Sequence, residues 1–336
     1  MKDADIAPYF HPTQIVLVDD DIDFLGNLSL QLDSDLAYLL FDSTSKALDY
    51  LTAHNGRSAS RERFFQRTSA GSDAGTTPRP LEIDCHAIQQ EMGSSERFSQ
   101  VSVVLVDYAM PEIDGIEFCR RINDPHIKKI LFTGVATESV AVDAFNKGVI
   151  DQYIRKQERA VYDTLNQAIR SFQREYIRDL FVAAADIFSM RTPPILSDPA
   201  TPSLLDALAR DHGMIEYYLA DEPPGMLFAD AAGRVQRLVA LDARECAAEA
   251  QRLAALGLPD SAVAEIESGA RLCDPALTRD DMANWREHSV VPTVSGHALG
   301  ARYWAVFPVS DPLMSQARPS YEAFLEWLDT VGYALM

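Results

Sequence analysis

Five side chains in this sequence stand at the ends of short apolar runs and are of types that do chemistry. Asp19 and Asp20 close IVLVDD, Asp107 closes VSVVLVD, Thr133 lies in KKILFTG and Lys156 ends DQYIRK. Taken singly each has an ordinary explanation: an acidic pair after a strand is most often a cap, a threonine there a turn residue, a lysine a solvated charge. Brought to one place they are different. Three carboxylates repel one another and need a divalent cation to hold them, and Mg2+ is the hard ion that suits carboxylate, carbonyl and phosphate oxygens. The lysine ammonium and the threonine hydroxyl then supply a positive charge and a donor for an anion beside that metal. An Asp at the tip of a strand as apolar as VSVVLV is also costly to desolvate unless something cationic meets it. The set suits a phosphoryl group carried on a carboxylate.

The elements that must position these groups alternate. IVLVDD (15–20), AYLLF (37–41), VSVVLVD (101–107), KKILFTG (128–134) and DQYIRK (151–156) read as strands. FLGNLSLQL (24–32), STSKALDYL (43–51), IEFCRRI (116–122) and SVAVDAFNKG (139–148) between them carry helical spacing. This five-fold β/α alternation predicts an α/β fold, a doubly wound parallel five-stranded sheet of the flavodoxin-like kind, covered by helices on both faces. In such sheets the working groups collect at the carboxyl ends of the strands. One stretch interrupts the pattern. Residues 54–100 mix Gly, Ser, Thr, Arg and Pro, as in TSAGSDAGTTPRP, with short helices expected at RERFF and near CHAIQQEM. A structureless loop of that length is unusual in a compact domain, so it reads as an insertion, partly disordered and partly packed on the surface. From 158 to 189 apolar residues recur at steps of three and four (Val161, Leu165, Ala168, Phe172, Tyr176, Leu180, Ala184, Ile187), predicting one long amphipathic helix.

At the residues that carry the chemistry, the chain resembles the receiver domain of two-component response regulators. LVDDD matches the acidic pair, LVDYAMPEIDG the phosphoacceptor strand and loop, FTG the threonine with its small neighbour Gly134, and YIRK an aromatic switch residue, Tyr153, ahead of Lys156. The resemblance implies that Asp107 is the phosphoacceptor, charged by a histidine kinase or phosphotransfer protein. It further implies that Asp19, Asp20, Asp107 and the carbonyl of Ala109 surround Mg2+, that Lys156 and Thr133 contact the phosphoryl group, and that Tyr153 turns inward as Thr133 moves. Two departures stand out. Gln157 replaces the proline usual after the lysine, which puts a cis peptide there in doubt, and the 54–100 insertion has no counterpart. A tolerated surface insertion explains it most simply; the alternative is a kinase-docking patch of Arg61, Arg63, Phe64, Phe65 and Arg67. The expected domains are a receiver over 12–157, a signalling helix over 158–190, and an α+β output domain over 200–336.

Bulk properties narrow the output. The 336 residues suit two domains, and the formal charge is −20. Residues 190–336 contain no Lys, and 11 Arg against 21 Asp plus Glu leave a net of −10. Such a surface repels phosphate backbones and disfavours a nucleic-acid partner. No apolar run approaches the ~20 residues needed to span a bilayer and no signal peptide opens the chain, so membrane association is not expected and a cytoplasmic location is. Cys85, Cys119, Cys246 and Cys273 form no CxxC pair and read as buried or indifferent free thiols. The stretch 203–219 reads as helix and GMLFADAAGRVQRLVAL (225–241) as a hairpin, similar in outline to small ligand-sensing modules of the PAS kind. HSVVPTVSG with ALGARYWAVFPVS reads as another hairpin, and Trp285, Trp304 and Trp327 as core. His212 with Asp211 and Glu216, and Asp280 and Asp281 with His288, are weighed as metal groups and set below solvated helix faces. No phosphate loop or hydrolase motif appears, so the expectation is a non-enzymatic output that binds a downstream protein. The long helix would either form a homodimer seam continuous with the receiver face or pack intramolecularly on the second domain. An enzymatic output is the alternative.

Overall fold

A computed structural model describes residues 6–54, 64–67, 81–134, 138–185, 193–297, 300–309 and 319–331. Packing divides the chain into two units, each assembled from three separate stretches. One comprises His11–Phe65, Ser95–Ser189 and Tyr321–Met336, the other Met1–Phe10, Gln66–Ser94 and Met190–Ser320. This differs from the linear domain boundaries expected above. Of the insertion, Gln66–Ser94 belongs to the unit of the C-terminal half and the rest to that of the N-terminal half, which also takes the last helix.

The first unit is the expected α/β body. Strands β2 (Gln14–Val18), β3 (Ala37–Phe41), β6 (Val101–Val106), β7 (Lys128–Thr133) and β8 (Gln152–Arg155) form a parallel sheet in the order β3-β2-β6-β7-β8. Every residue of β2 and β6 is buried. That is why their sequences are continuous apolar runs rather than alternating ones. Helices α1 (Ile22–Ser29), α2 (Thr44–His54), α4 (Gly115–Arg121), α5 (Glu138–Asn146) and α6 (Val161–Ala185) connect and cover the strands. Asp21 and Asp114 cap α1 and α4 by accepting from the amides of Phe24 and Glu117.

Helix α6 corrects one expectation. Val161, Leu165, Ala168 and Ile169 lie inside the core formed with Ile15, Leu17, Val103, Leu105 and Ile130. Tyr176, Ile177, Leu180 and Phe181 are buried as well. The first half of the stripe is therefore spent on its own sheet; of its last members, the side chain of Ala184 is not described and Ile187 lies outside the described residues. Polar ties hold the helix in place: Asn166 donates to Gln31 O, Gln173 to Thr13 O, and Arg170 clamps Asp33 and Asp35. Phe64 and Phe65 pack on Phe181, with ring centroids 6.1 and 5.6 Å away; Phe64 is buried and Phe65 partly exposed. Arg61 and Arg63 fall outside the described residues, and the side chain of Arg67 is not described. The final helix α11 (Tyr321–Val331) packs here through Phe98 and donates from Tyr321 Oη to Asp35 O.

The second unit is built on a six-stranded antiparallel sheet. β1 (Tyr9–Phe10), β9 (Met214–Asp221), β10 (Pro224–Asp230), β11 (Val235–Asp242), β14 (Thr293–His297) and β15 (Gly300–Pro308) are ordered β1-β9-β10-β11-β15-β14. The two expected hairpins are β10–β11 and β14–β15. The segment expected as one helix is split: α8 (Thr201–His212) stops at Gly213, whose φ of +65° ends the helix in the left-handed region, and β9 follows. Its EYYLA (216–220) is buried on both faces, so no alternation marks it as a strand. The break also removes the proposed His212–Glu216 pairing, since the two no longer share a helix; Glu216 is buried and accepts from Tyr218 Oη. Between α8 and the preceding body, part of the proline-rich linker folds as α7 (Pro194–Ser197), and prolines open both short helices where a missing N–H is tolerated. Helix α3 (Cys85–Glu91), from the insertion, packs on β9, and Gln89 donates to Leu219 O. Helices α9 (Ala243–Leu256) and α10 (Asp260–Glu267) close a separate apolar cluster around Leu253, Ile266 and Trp285. Asp281 is a capping residue that accepts from Thr278. Trp285 is core as expected, whereas Trp327 on α11 is 52% exposed.

Candidate functional site

The sheet register sets the site. The amide of Asp107 donates to Val18 O (2.9 Å) and that of Asp19 to Phe41 O (3.2 Å), so the ladder continues one residue past β2 and β6 and leaves both carboxylates at the same edge. Thr133 ends β7, and Lys156 follows β8, its amide donating to Thr133 O (3.2 Å). All four chain positions thus meet at the carboxyl ends of neighbouring strands.

The geometry is tight. Lys156 Nζ stands 2.7 Å from Asp19 Oδ2 and 2.8 Å from Asp107 Oδ1. The remaining carboxylate oxygens accept backbone N–H groups: Asp21 N reaches Asp19 Oδ1 at 3.0 Å and Ala109 N reaches Asp107 Oδ2 at 2.7 Å. The Phe24 ring lies under the ammonium, 3.7 Å from Nζ to centroid. Burial works against the charge on Lys156, yet its bonds to Asp107 and Asp19 hold its pKa above the ordinary lysine value. Asp19 is pushed up by burial first and further by the neighbouring Asp107 charge, against the pull of Lys156. One lysine therefore leaves the pair of carboxylates under-neutralised. Asp20 is exposed at the same strand end. Among the described residues, no group of three His, Cys, Asp or Glu side chains stands ready to hold a metal ion. Thr133 is fully buried, and Tyr153 is half-exposed on β8 with the Arg155 guanidinium 5.9 Å from its ring. The bond from Lys156 to Gln157 is not cis; the cis peptide among the described residues is Glu222–Pro223.

Two supporting residues escaped the sequence reading, and a third, Gly115, was read only as part of the LVDYAMPEIDG loop. Phe24 looked like an ordinary apolar helix position. Glu112, in the loop after Asp107, accepts from Ser43, Thr44 and the amide of Ser45, and the Thr44 hydroxyl above all holds its carboxyl below the usual range. Only the meeting of that loop with α2 makes Glu112 visible. Gly115 has no room for a side chain, because a Cβ there would lie 2.2 Å from the Asp107 carbonyl oxygen. The Asp-Gly spelling at 114–115 was its signal, with Asp114 capping α4 and Gly115 letting that helix approach the end of β6.

Residues 83–170 match the family described as the response regulator receiver domain. The chain carries a response regulator receiver domain. The match begins beyond most of the insertion, which separates the first two strands and their Asp19 and Asp20 from the rest of the receiver. The solved structure of the Legionella pneumophila response regulator LqsR is 29% identical, with a TM-score of 0.77 over 98% of this chain and 99% of that one. The likeness therefore extends over both units and not over the receiver alone. A receiver domain from Methanospirillum hungatei is 17% identical over 50% of this chain and 98% of its own (TM-score 0.33). One from a Vibrio parahaemolyticus protein is 12% identical over 51% and 97% (TM-score 0.34). No curated protein matches the chain.

Proposed function

We propose that this response regulator is phosphorylated on Asp107 by a histidine kinase or phosphotransfer protein in the cytoplasm and passes the signal to a protein partner without enzymatic output. The observation that carries the reading is Lys156 Nζ bridging Asp19 and Asp107 at the carboxyl edge of a parallel sheet. In the transfer, the P–N bond of the donor's phosphohistidine breaks as a P–O bond forms to an Asp107 carboxylate oxygen. Lys156 then turns part of its charge to the phosphoryl oxygens. The hard oxygens of Asp19, Asp20, Asp107 and the Ala109 carbonyl suit Mg2+, and the upward push on Asp19 marks the surplus negative charge that a cation would relieve. Held there, Mg2+ would neutralise charge on the transferred group. Thr133 donates to the phosphoryl group, and Tyr153 follows it inward, biasing a pre-existing equilibrium of the α5–β8–α6 face.

That face supports a protein partner or a second copy of the chain as the recipient. Val142 and Phe145 on α5 are 50% and 54% exposed, and Tyr162 at the start of α6 is partly exposed. The acidic second half argues against nucleic acid. No described helix is long and apolar enough to cross a membrane. Light scattering with Mg2+ and then beryllofluoride, with Asp107→Asn as control, tests the reading. A mass that doubles only in the unaltered protein supports a phosphorylation-controlled dimer, and an acyl phosphate that persists on Asp107→Asn refutes the site. A second reading, an enzymatic output, is favoured by a cavity of about 530 Å³ in the second unit, between Asp221–Pro224 and the Glu245, Glu249 and Arg252 face of α9. Turnover of a nucleotide or ester by the purified chain would establish it.

A further inference from the structure

Each unit is completed by chain from the far side of the other. The output sheet takes its edge strand β1 from the residues before the receiver: Tyr9 and Phe10 pair with Tyr218 and Tyr217, and Tyr9 stacks on Tyr218 at 6.2 Å. Tyr217 Oη donates to Ala7 O across 210 residues of sequence. The same strand β9 takes helix α3 from the insertion inside the receiver, with Gln89 and Leu219 separated by 130 residues. Ile88 and Met92 of that segment are fully buried. In return, the receiver unit takes α11 from beyond the output sheet, with Phe98 against Tyr321 at 5.0 Å and Phe324 at 5.6 Å.

The receiver's own register brings the two donated pieces together. β1 leads through His11, Pro12 and Thr13 into β2, and α3 leads into β6. At their starts β2 and β6 are paired, Gln14 opposite Val101, with the Gln14 amide on Gln100 O at 2.8 Å and the Thr13 and Ser102 hydroxyls 2.6 Å apart. A folded receiver therefore pins, at paired positions, the two stretches of chain that run back to β1 and to α3. Unfolded, it would replace that pinning with two long flexible loops, each of which must be closed at an entropic cost before β9 gains its neighbours.

We infer that the output unit is conditionally folded: its stability is set by the receiver, so that whatever stabilises or loosens the receiver does the same to the output sheet. Occupancy of the phosphoacceptor site then acts on the output through folding free energy as well as through any surface it alters. The second clause rests on the function proposed above; the first does not.

The test is urea unfolding of the full chain, read by hydrogen-exchange mass spectrometry on peptides from β6–β7 and from β10–β11. Leu165→Ala removes a fully buried receiver side chain from α6. The expected result is that both midpoints fall together, by the same amount. A drop in β6–β7 with β10–β11 unmoved would overturn the inference. Ile169→Val, a smaller deletion in the same core, repeats the test if Leu165→Ala does not fold. In a second arm, Mg2+ with beryllofluoride should raise both midpoints, and Asp107→Asn should abolish the rise. A rise confined to β6–β7 also overturns the inference. No rise in either, with the Leu165→Ala midpoints still moving together, supports it while sinking the proposed phosphoacceptor site.

Discussion

Charge is used differently at the carboxyl edge of the receiver sheet and inside the output unit. In the output unit, Arg302 is 8% exposed and fully engaged: its Nε reaches Asp198 Oδ2 at 3.2 Å, and its Nη1 reaches Ala240 O at 2.8 Å and Glu245 Oε2 at 3.3 Å. Glu245 in turn closes the capping box of α9 with Asp242. That cation ties a helix start, a strand and the α7–α8 segment into one body. At the receiver edge, Lys156 holds two carboxylates that no other side-chain cation meets among the described contacts, and Asp19 remains pushed toward its neutral form. A saturated network fixes structure. An under-neutralised one is left able to accept a cation and an anion, which is the physical difference between a buried charge that holds a fold and one that does chemistry.

Four experiments break or sharpen that contrast. Lys156→Ala should leave the receiver folded but abolish its response to beryllofluoride, seen as loss of the ligand-induced change in tyrosine and tryptophan fluorescence; a full response would remove Lys156 from the site. Arg302→Ala should destabilise the protein by about 3 kcal/mol, since Asp198 and the Ala240 carbonyl lose a buried partner, and urea unfolding checks it. A similar figure comes from a third buried group. His11 is fully buried at the entrance to β2, and burial pushes its pKa from 6.5 down to about 4. The unfolded chain therefore takes a proton below pH 6.5 that the folded chain refuses. Stability is lost as pH falls from 6.5 to 4, by up to about 3 kcal/mol, and His11→Gln should flatten that slope. Smallest is Lys147→Ala, which breaks an exposed pair with Asp143 and should change stability by less than about 0.5 kcal/mol.

The receiver was legible because its signals are local. Strands β2 and β6 are buried along their whole length, β7 over its last four residues, and all three end at the candidate site residues, which a parallel sheet brings together by topology alone. The acceptor loop's Pro, Asp and Gly announce themselves by turn and cap chemistry. Where the reading failed, the deciding contact lay far away in sequence. The stripe on α6 has the same spacing whether it faces a second copy or its own sheet, and only Ile15, Val103 and Ile130 show that its first half is spent on the sheet. β9 is buried on both faces and carries no alternation, so it was merged with α8.

The sequence by itself determined where the site residues fall: Asp107 ends a buried strand and needs a cation to answer it, and Lys156 stands at the matching end of another strand. Only the tertiary structure decided which segments make which unit. The pieces β1, α3 and α11 are too short to be stable alone, and their spacing along the chain says nothing of the partners that complete them. Those partners lie one domain away in sequence, where side-chain periodicity carries no information.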